Sequence, residues 1–205
     1  LNQSLKRMNL DYVDIFYSHR YDPVTPLEET LQTLVDIVRQ GKALYVGISK
    51  YPKEATEFAY KYLAERDVHC LLYQGKYNLF NREPEEEGIL RQAKENGTGF
   101  IAFSPLAQGL LTNRYLNGIP EDSRMARGGF LKKEQLTEDV LSKIKALNKM
   151  AEERGQTLAE MALAWVLKDD LVTSVIIGAS SVAQLEDNLK AIRNTSFTKE
   201  ELRRL

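Results

Sequence analysis

Short, nearly continuous apolar runs alternate with amphipathic stretches along this chain, and that alternation constrains the fold more than any other feature. Residues 12–17 (YVDIFY), 43–49 (ALYVGIS), 68–74 (VHCLLYQ), 99–104 (GFIAFS) and 173–177 (TSVII) read as strands. Helices are expected between them. Residues 27–40 carry Leu31, Leu34, Ile37 and Val38 at helical spacing, and Gly41 stands where a C-cap glycine belongs. Pro52 opens a helix that runs to about residue 66, since proline costs least in the first turn. Further helices are expected over 84–96, 138–154, 158–168 (with Thr157 as N-cap) and 182–192, and another from 198. A long loop spans 106–136. The first four strands begin about 30 residues apart, the length of a strand–helix–strand unit. Apolar strands of this kind argue for a parallel sheet covered by helices. A doubly wound sheet and a barrel both remain open at this point, and five strands cannot close a standard eight-stranded barrel.

The 205 residues suit one domain. Lys plus Arg total 28 against 29 Asp plus Glu, which gives no electrostatic reason to expect nucleic acid or an anionic membrane as partner. No run of about 18 apolar residues is present to span a bilayer. Cys70 is the only cysteine, so neither a disulfide framework nor a cysteine metal site is expected, and a reducing cytoplasm fits. Trp165 reads as a core residue, Cys70 as an inert residue inside a strand, His69 as a surface or strand-edge residue, and Glu85, Glu86 and Glu87 as first-turn acids that favour a helix dipole. Leu1, Leu5 and Met8 are spaced as on one helical face and read as the end of a helix that begins before residue 1.

Polar residues gather at the strand ends: His19 and Arg20; Ser49 and Lys50; Gln74, Tyr77 and Asn78; Ser104 and Gln108; Gly178 and Ser180. In both candidate folds the carboxyl ends of parallel strands bind ligands. Five segments around these ends resemble the aldo-keto reductases, nearest the branch that holds the bacterial glyceraldehyde-3-phosphate-type reductases and the potassium-channel β subunits. They are LDYVD through His19, GIS at 47–49, Gln74 with Tyr77 and Asn78, FSPLAQGLLT at 103–112, and GASS at 178–181 with Gln184, Leu185 and Asn188.

The resemblance implies an α/β fold, the (β/α)8 TIM barrel. Residues 1–205 would be the C-terminal part of that single domain, incomplete, with the fourth to eighth strands. It implies reduction of small aldehydes or ketones with NADP(H), in which a tyrosine donates the proton beside a lysine, an aspartate and a histidine. Of these four only the histidine is placed here, at His19, where a neutral imidazole can donate to the carbonyl oxygen. The aspartate, tyrosine and lysine belong to strand ends outside these residues.

Ser49, Lys50 and Gln74 match the positions that hold the nicotinamide carboxamide, which needs both donors and acceptors. Lys50 departs from the family's common Asn, and Gly75 from the proline that commonly follows the Gln. Phe103 matches the aromatic that stacks on the nicotinamide. Ser104, Pro105, Leu106 and Gln108 match the loop that wraps the pyrophosphate. Arg114 and Arg124, with Arg127 a weaker candidate, match basic residues that reach the phosphates. Gly178 and Ser180 precede a helix N-terminus suited to an anion. Asp187 and Asn188 match the adenine pair, and Gln184 replaces an Arg used against the 2′-phosphate. Read singly, each has a plainer alternative: a loop histidine, strand-end polar groups, a core aromatic, solvated surface charges.

Three functions stay open: a carbonyl reductase, a nicotinamide-cofactor-binding fragment without a proton donor, and a channel-β-like interaction subunit. The expected partner of the enzyme is a small carbonyl substrate. A homo-oligomer is expected from the resembled branch.

Overall fold

The computed structural model describes residues 1–205 apart from Asp122, Arg124, Arg127, Gly129 and Phe130. The elements run α1 (Asn2–Met8), β1 (Val13–Ser18), α2 (Leu27–Arg39), β2 (Ala43–Ser49), α3 (Lys53–Ala64), β3 (Cys70–Lys76), α4 (Glu83–Glu86), α5 (Ile89–Glu95), β4 (Gly99–Phe103), α6 (Glu138–Glu153), α7 (Leu158–Val166), β5 (Ser174–Ile176), α8 (Val182–Leu189) and α9 (Lys199–Arg204). The five strands are parallel and follow chain order in one sheet, so the α/β expectation is met. The sheet does not close on itself among the described residues.

The chain divides into two compact units. The first comprises Leu1–Lys76, Glu83–Ile101 and Leu171–Thr173. Its strand register pairs Val13 with Ala43 and Ser18 with Ile48, and Ser49 with Gln74 on the other side. Its core is made by Leu31, Leu34 and Val35 of α2, Val46 and Ile48 of β2, Leu63 of α3, Leu90 of α5 and Phe100 of β4, each at most 2% exposed. The helical spacing of α2 is what delivers three of those side chains to one face. Pro52 is the N-cap of α3 rather than its first residue. The single helix expected over 84–96 is two. Gly88 takes φ +79°, a left-handed conformation that stops α4 and starts α5.

The second unit comprises Tyr77–Arg82, Ala102–Asp170 and Ser174–Leu205. Thr157 caps α7 as expected, with Glu160 reaching back to the Thr157 amide at 3.1 Å. Trp165 is buried. The stretch expected as a long loop is pinned to the core. Leu110, Tyr115, Met125 and Leu131 pack in one cluster with Ile144 and Met150 of α6 and Leu158 and Met161 of α7. Burial of these four side chains offsets part of the entropy lost in ordering a segment whose described residues form short 3-10 turns. The helix expected over 182–192 is α-helical to Leu189 and tightens to a 3-10 turn over Lys190–Arg193.

Candidate functional site

In the first unit, the chain leaving β2 bends sharply. Lys50 adopts φ +56°, a region that a side chain of its length rarely occupies. The Ser49 hydroxyl donates to the Gln74 carbonyl at 2.9 Å, and the Lys50 amide donates to the same oxygen at 3.3 Å. Ser49 is buried and Gln74 half-buried. With its proton committed to Gln74, Ser49 offers lone pairs rather than a donor to any ligand. His19 is exposed and follows directly on β1. Beside it, Ser18 Oγ and Tyr51 Oη are 2.8 Å apart, and Tyr21 meets the Tyr51 ring edge-on at 5.5 Å between centroids. Desolvation raises the Tyr51 phenol above its ordinary pKa, only partly offset by the Ser18 hydrogen bond. Neither Ser18 nor Tyr51 stood out in the sequence. Tyrosine in a βα loop carries no periodic signal.

The second unit holds a pocket of about 480 Å³, within the usual range for small-ligand sites. Phe103, Ser104, Pro105, Leu106, Gln108, Arg114, Gly178, Ser180 and Gln184, all expected at a site, line it together. Gly109, Tyr115, Ile176, Ile177 and Ala179 also line it and were not expected. Gly109 lies inside the FSPLAQGLLT segment and could have been read from it. Tyr115 could not, because its role depends on where the 3-10 turn over Asn113–Tyr115 points its ring.

The loop after β4 forms the floor of this pocket. Ser104, Ala107, Gln108 and Gly109 all have positive φ: +53°, +46°, +61° and +105°. Left-handed non-glycine residues cost on the order of 1–3 kcal/mol each and collect at ligand sites. Backbone that turns between right- and left-handed conformations aims amides into a concavity suited to anions. Thr112 caps the turn that carries Arg114, accepting from the Arg114 amide at 3.2 Å.

Across the pocket, Ser181 caps α8 by accepting from the Gln184 amide at 3.2 Å. The Gln184 carboxamide oxygen accepts from the Ser180 amide at 2.7 Å and from its hydroxyl at 3.0 Å. Asp187 lies farther along α8, paired with Lys190 at 2.6 Å. Asn188 is buried, and its Nδ2 has no hydrogen-bond partner among the described residues. Arg124 and Arg127 lie outside the described residues. A guanidinium, a helix N-terminus, strained amides and an aromatic wall together fit a flat ring joined to phosphate. Among the described residues no cluster of His, Cys, Asp and Glu could hold a metal ion.

The family is decided by the match of residues 1–205 to the Aldo/keto reductase family. The chain belongs to that family. It is 54% identical over 206 residues to the L-glyceraldehyde 3-phosphate reductase of Escherichia coli strain K12, covering 98% of this chain and 60% of that protein. It is 39% identical over 193 residues to a probable voltage-gated potassium channel subunit beta of Arabidopsis thaliana, covering 92% of this chain and 59% of that protein. Among solved structures, a thermostable aldo-keto reductase in complex with the inhibitor epalrestat superposes with a TM-score of 0.73 at 29% identity, covering 98% of this chain and 62% of that one. This aldo/keto reductase chain thus spans about 60% of the length of the curated relatives it matches. No helix among the described residues is long and apolar enough to cross a membrane.

Proposed function

We propose that this chain is the C-terminal part of an NADP(H)-dependent aldo-keto reductase that reduces small aldehydes or ketones, with β1 to β5 as the fourth to eighth strands of a barrel. The observation that carries this reading is the pocket of the second unit, where the strained Ser104–Gly109 loop, Arg114 and the N-terminus of α8 converge. In the proposal that pocket takes the anionic part of the cofactor, with Phe103 against its ring. Asp187 and Asn188 serve the adenine. In the first unit, His19 hydrogen-bonds the substrate carbonyl, and Ser49, Lys50 and Gln74 serve the carboxamide, Ser49 as acceptor. The bound cofactor supplies hydride to the carbonyl carbon. The chain's own residues bind and orient. Resemblance to the E. coli reductase supports a small, phosphorylated or otherwise polar aldehyde as substrate. A homo-oligomer in the cytoplasm completes the reading.

Similarity to the Arabidopsis channel subunit favours a second reading, a channel-β-like interaction subunit, beside a non-catalytic nicotinamide-cofactor-binding fragment. Intact mass followed by an NADPH-oxidation assay with methylglyoxal or a nitrobenzaldehyde separates the two. Saturable turnover supports the reductase, and in it Arg114→Ala is expected to raise the KM for NADPH on the order of tenfold, the worth of a charge-assisted hydrogen bond. NADPH binding without turnover favours the interaction subunit. Absence of NADPH binding would sink both.

A further inference from the structure

The pocket loop is held from beneath by residues that do not line it. Asn78 is fully buried at the start of the second unit. Its Nδ2 donates to the Ser104 carbonyl at 2.9 Å, the same oxygen that receives the Ala107 amide at 2.9 Å. Its Oδ1 accepts from the Phe80 amide at 2.9 Å, and its backbone exchanges two hydrogen bonds with Asn81 at 3.1 and 3.0 Å. The side chain is therefore fixed at both ends before it meets Ser104. The neighbouring Tyr77 amide donates to the Phe103 carbonyl at 3.4 Å.

Tyr77 is in turn locked. Its ring is fully buried, 5.0 Å between centroids from Trp165, and its hydroxyl accepts from Lys168 Nζ at 3.0 Å. Lys168 stands 4.4 Å over the Trp165 ring and 3.3 Å from Asp169, with its side chain only 11% exposed. A largely desolvated ammonium held by a phenol, an aromatic face and a carboxylate is worth more than a solvated one.

We infer that Asn78 and Lys168 are positioning residues for the pocket: Lys168 fixes Tyr77, and Asn78 holds the Ser104 carbonyl so that the loop keeps its left-handed conformation at Ser104, Ala107 and Gln108. Such strain persists only when its surroundings over-determine it, and Asn78 is the side chain that does so at Ser104. The assignment of this loop to cofactor rests on the function proposed above. The loop geometry itself does not.

The test uses Asn78→Ala and Lys168→Met in the intact protein. Amide hydrogen exchange is measured without cofactor, and NADPH affinity and carbonyl KM are measured separately. Exchange at Ala107, Gly109 and Leu111, whose amides bond within the loop, is expected to speed up on the order of tenfold, with β2 amides unchanged. The NADPH dissociation constant is expected to rise about tenfold in Asn78→Ala and somewhat less in Lys168→Met, while carbonyl KM at saturating NADPH stays within about twofold. Unchanged loop exchange, or faster exchange with unchanged NADPH affinity, would overturn the inference. If Asn78→Ala does not fold, the Lys168→Met result decides. If the unsubstituted protein does not bind NADPH, the proposed cofactor falls, and exchange alone decides whether these two residues hold the loop.

Discussion

Gly75 shows how a single position can carry fold and site together. A Cβ there would meet Phe100 Cζ at 2.6 Å, Phe100 Cε2 at 3.0 Å and Tyr73 Cε1 at 3.2 Å. Those two rings stack at 5.5 Å between centroids, and Phe100 is wholly buried, so neither can withdraw. Gly75→Ala is expected to cost about 1–3 kcal/mol by overpacking, read as a lower urea midpoint at unchanged slope. The sequence marked Gly75 only as a departure from the family's proline; the reason, a ring from the next strand, is invisible to local pattern. Cys70 was legible. It is buried in β3, and desolvation pushes its thiol up to about 12, which leaves it inert near neutral pH. Ser49 was legible as a polar strand end, but not as a donor already committed, because its partner is a backbone oxygen 25 residues away.

The C-terminal helix is anchored to α6 by Arg204 on Glu153 at 2.9 Å and by a second, more buried arginine. Arg154, at the end of α6, pairs with Glu201 at 2.5 Å, donates to the Ser196 carbonyl at 2.9 Å and stacks 3.8 Å over the Phe197 ring. Its side chain is 5% exposed. Arg154→Met is expected to destabilise the unit by on the order of 3 kcal/mol, because it strands the carbonyl and carboxylate partners, and to release α9 to proteolysis first. The Glu201 carboxyl sits below its usual pKa, chiefly through the Thr198 amide and then Arg154. A depressed folded pKa means its contribution is complete above the ordinary carboxylate range, about pH 4.3, and fades as pH falls through the lower folded value. Glu201→Gln is expected to remove that acid-side loss, which thermal unfolding across pH 2 to 6 (about that window) would reveal. At this scale the sequence served well where a cap residue announced a start, as at Thr157, while Thr198, expected as the first residue of its helix, is its N-cap. It served less well inside elements. The break at Gly88 and the tightening after Leu189 follow from packing and backbone geometry that the apolar period does not encode.

For the molecule as a whole, the telling feature is apolar surface. In the second unit Val182, Leu185, Leu189 and Ile192 are 73%, 41%, 53% and 67% exposed and share one face of α8 and the turn after it. In the first unit Met8, Leu10, Tyr12, Leu44 and Tyr45 are about half exposed. Periodicity alone would have read the α8 face as core, and the chain spans only about 60% of the length of its curated relatives. Apolar faces of this kind drive association in isolated chains. The 205 residues by themselves are expected to self-associate at micromolar concentration, and Leu189→Lys with Ile192→Glu to reduce that association, as followed by sedimentation velocity. A concentration-independent monomer of the unsubstituted chain would refute this. The strand–helix order was legible from the sequence because the strands are short, nearly continuous apolar runs between amphipathic stretches. Whether the sheet closes was not, since five strands do not close a standard eight-stranded barrel.

The hook of Gln184 on Ser180 has a kinetic side. Its carboxamide oxygen occupies two donors of Ser180, at 2.7 and 3.0 Å. Being part of the same chain, it competes at a fixed local concentration that dilution cannot lower. Under the proposed function, an arriving anion would therefore exchange places with an occupant instead of filling an empty socket. Its affinity there would be the difference between two sets of hydrogen bonds.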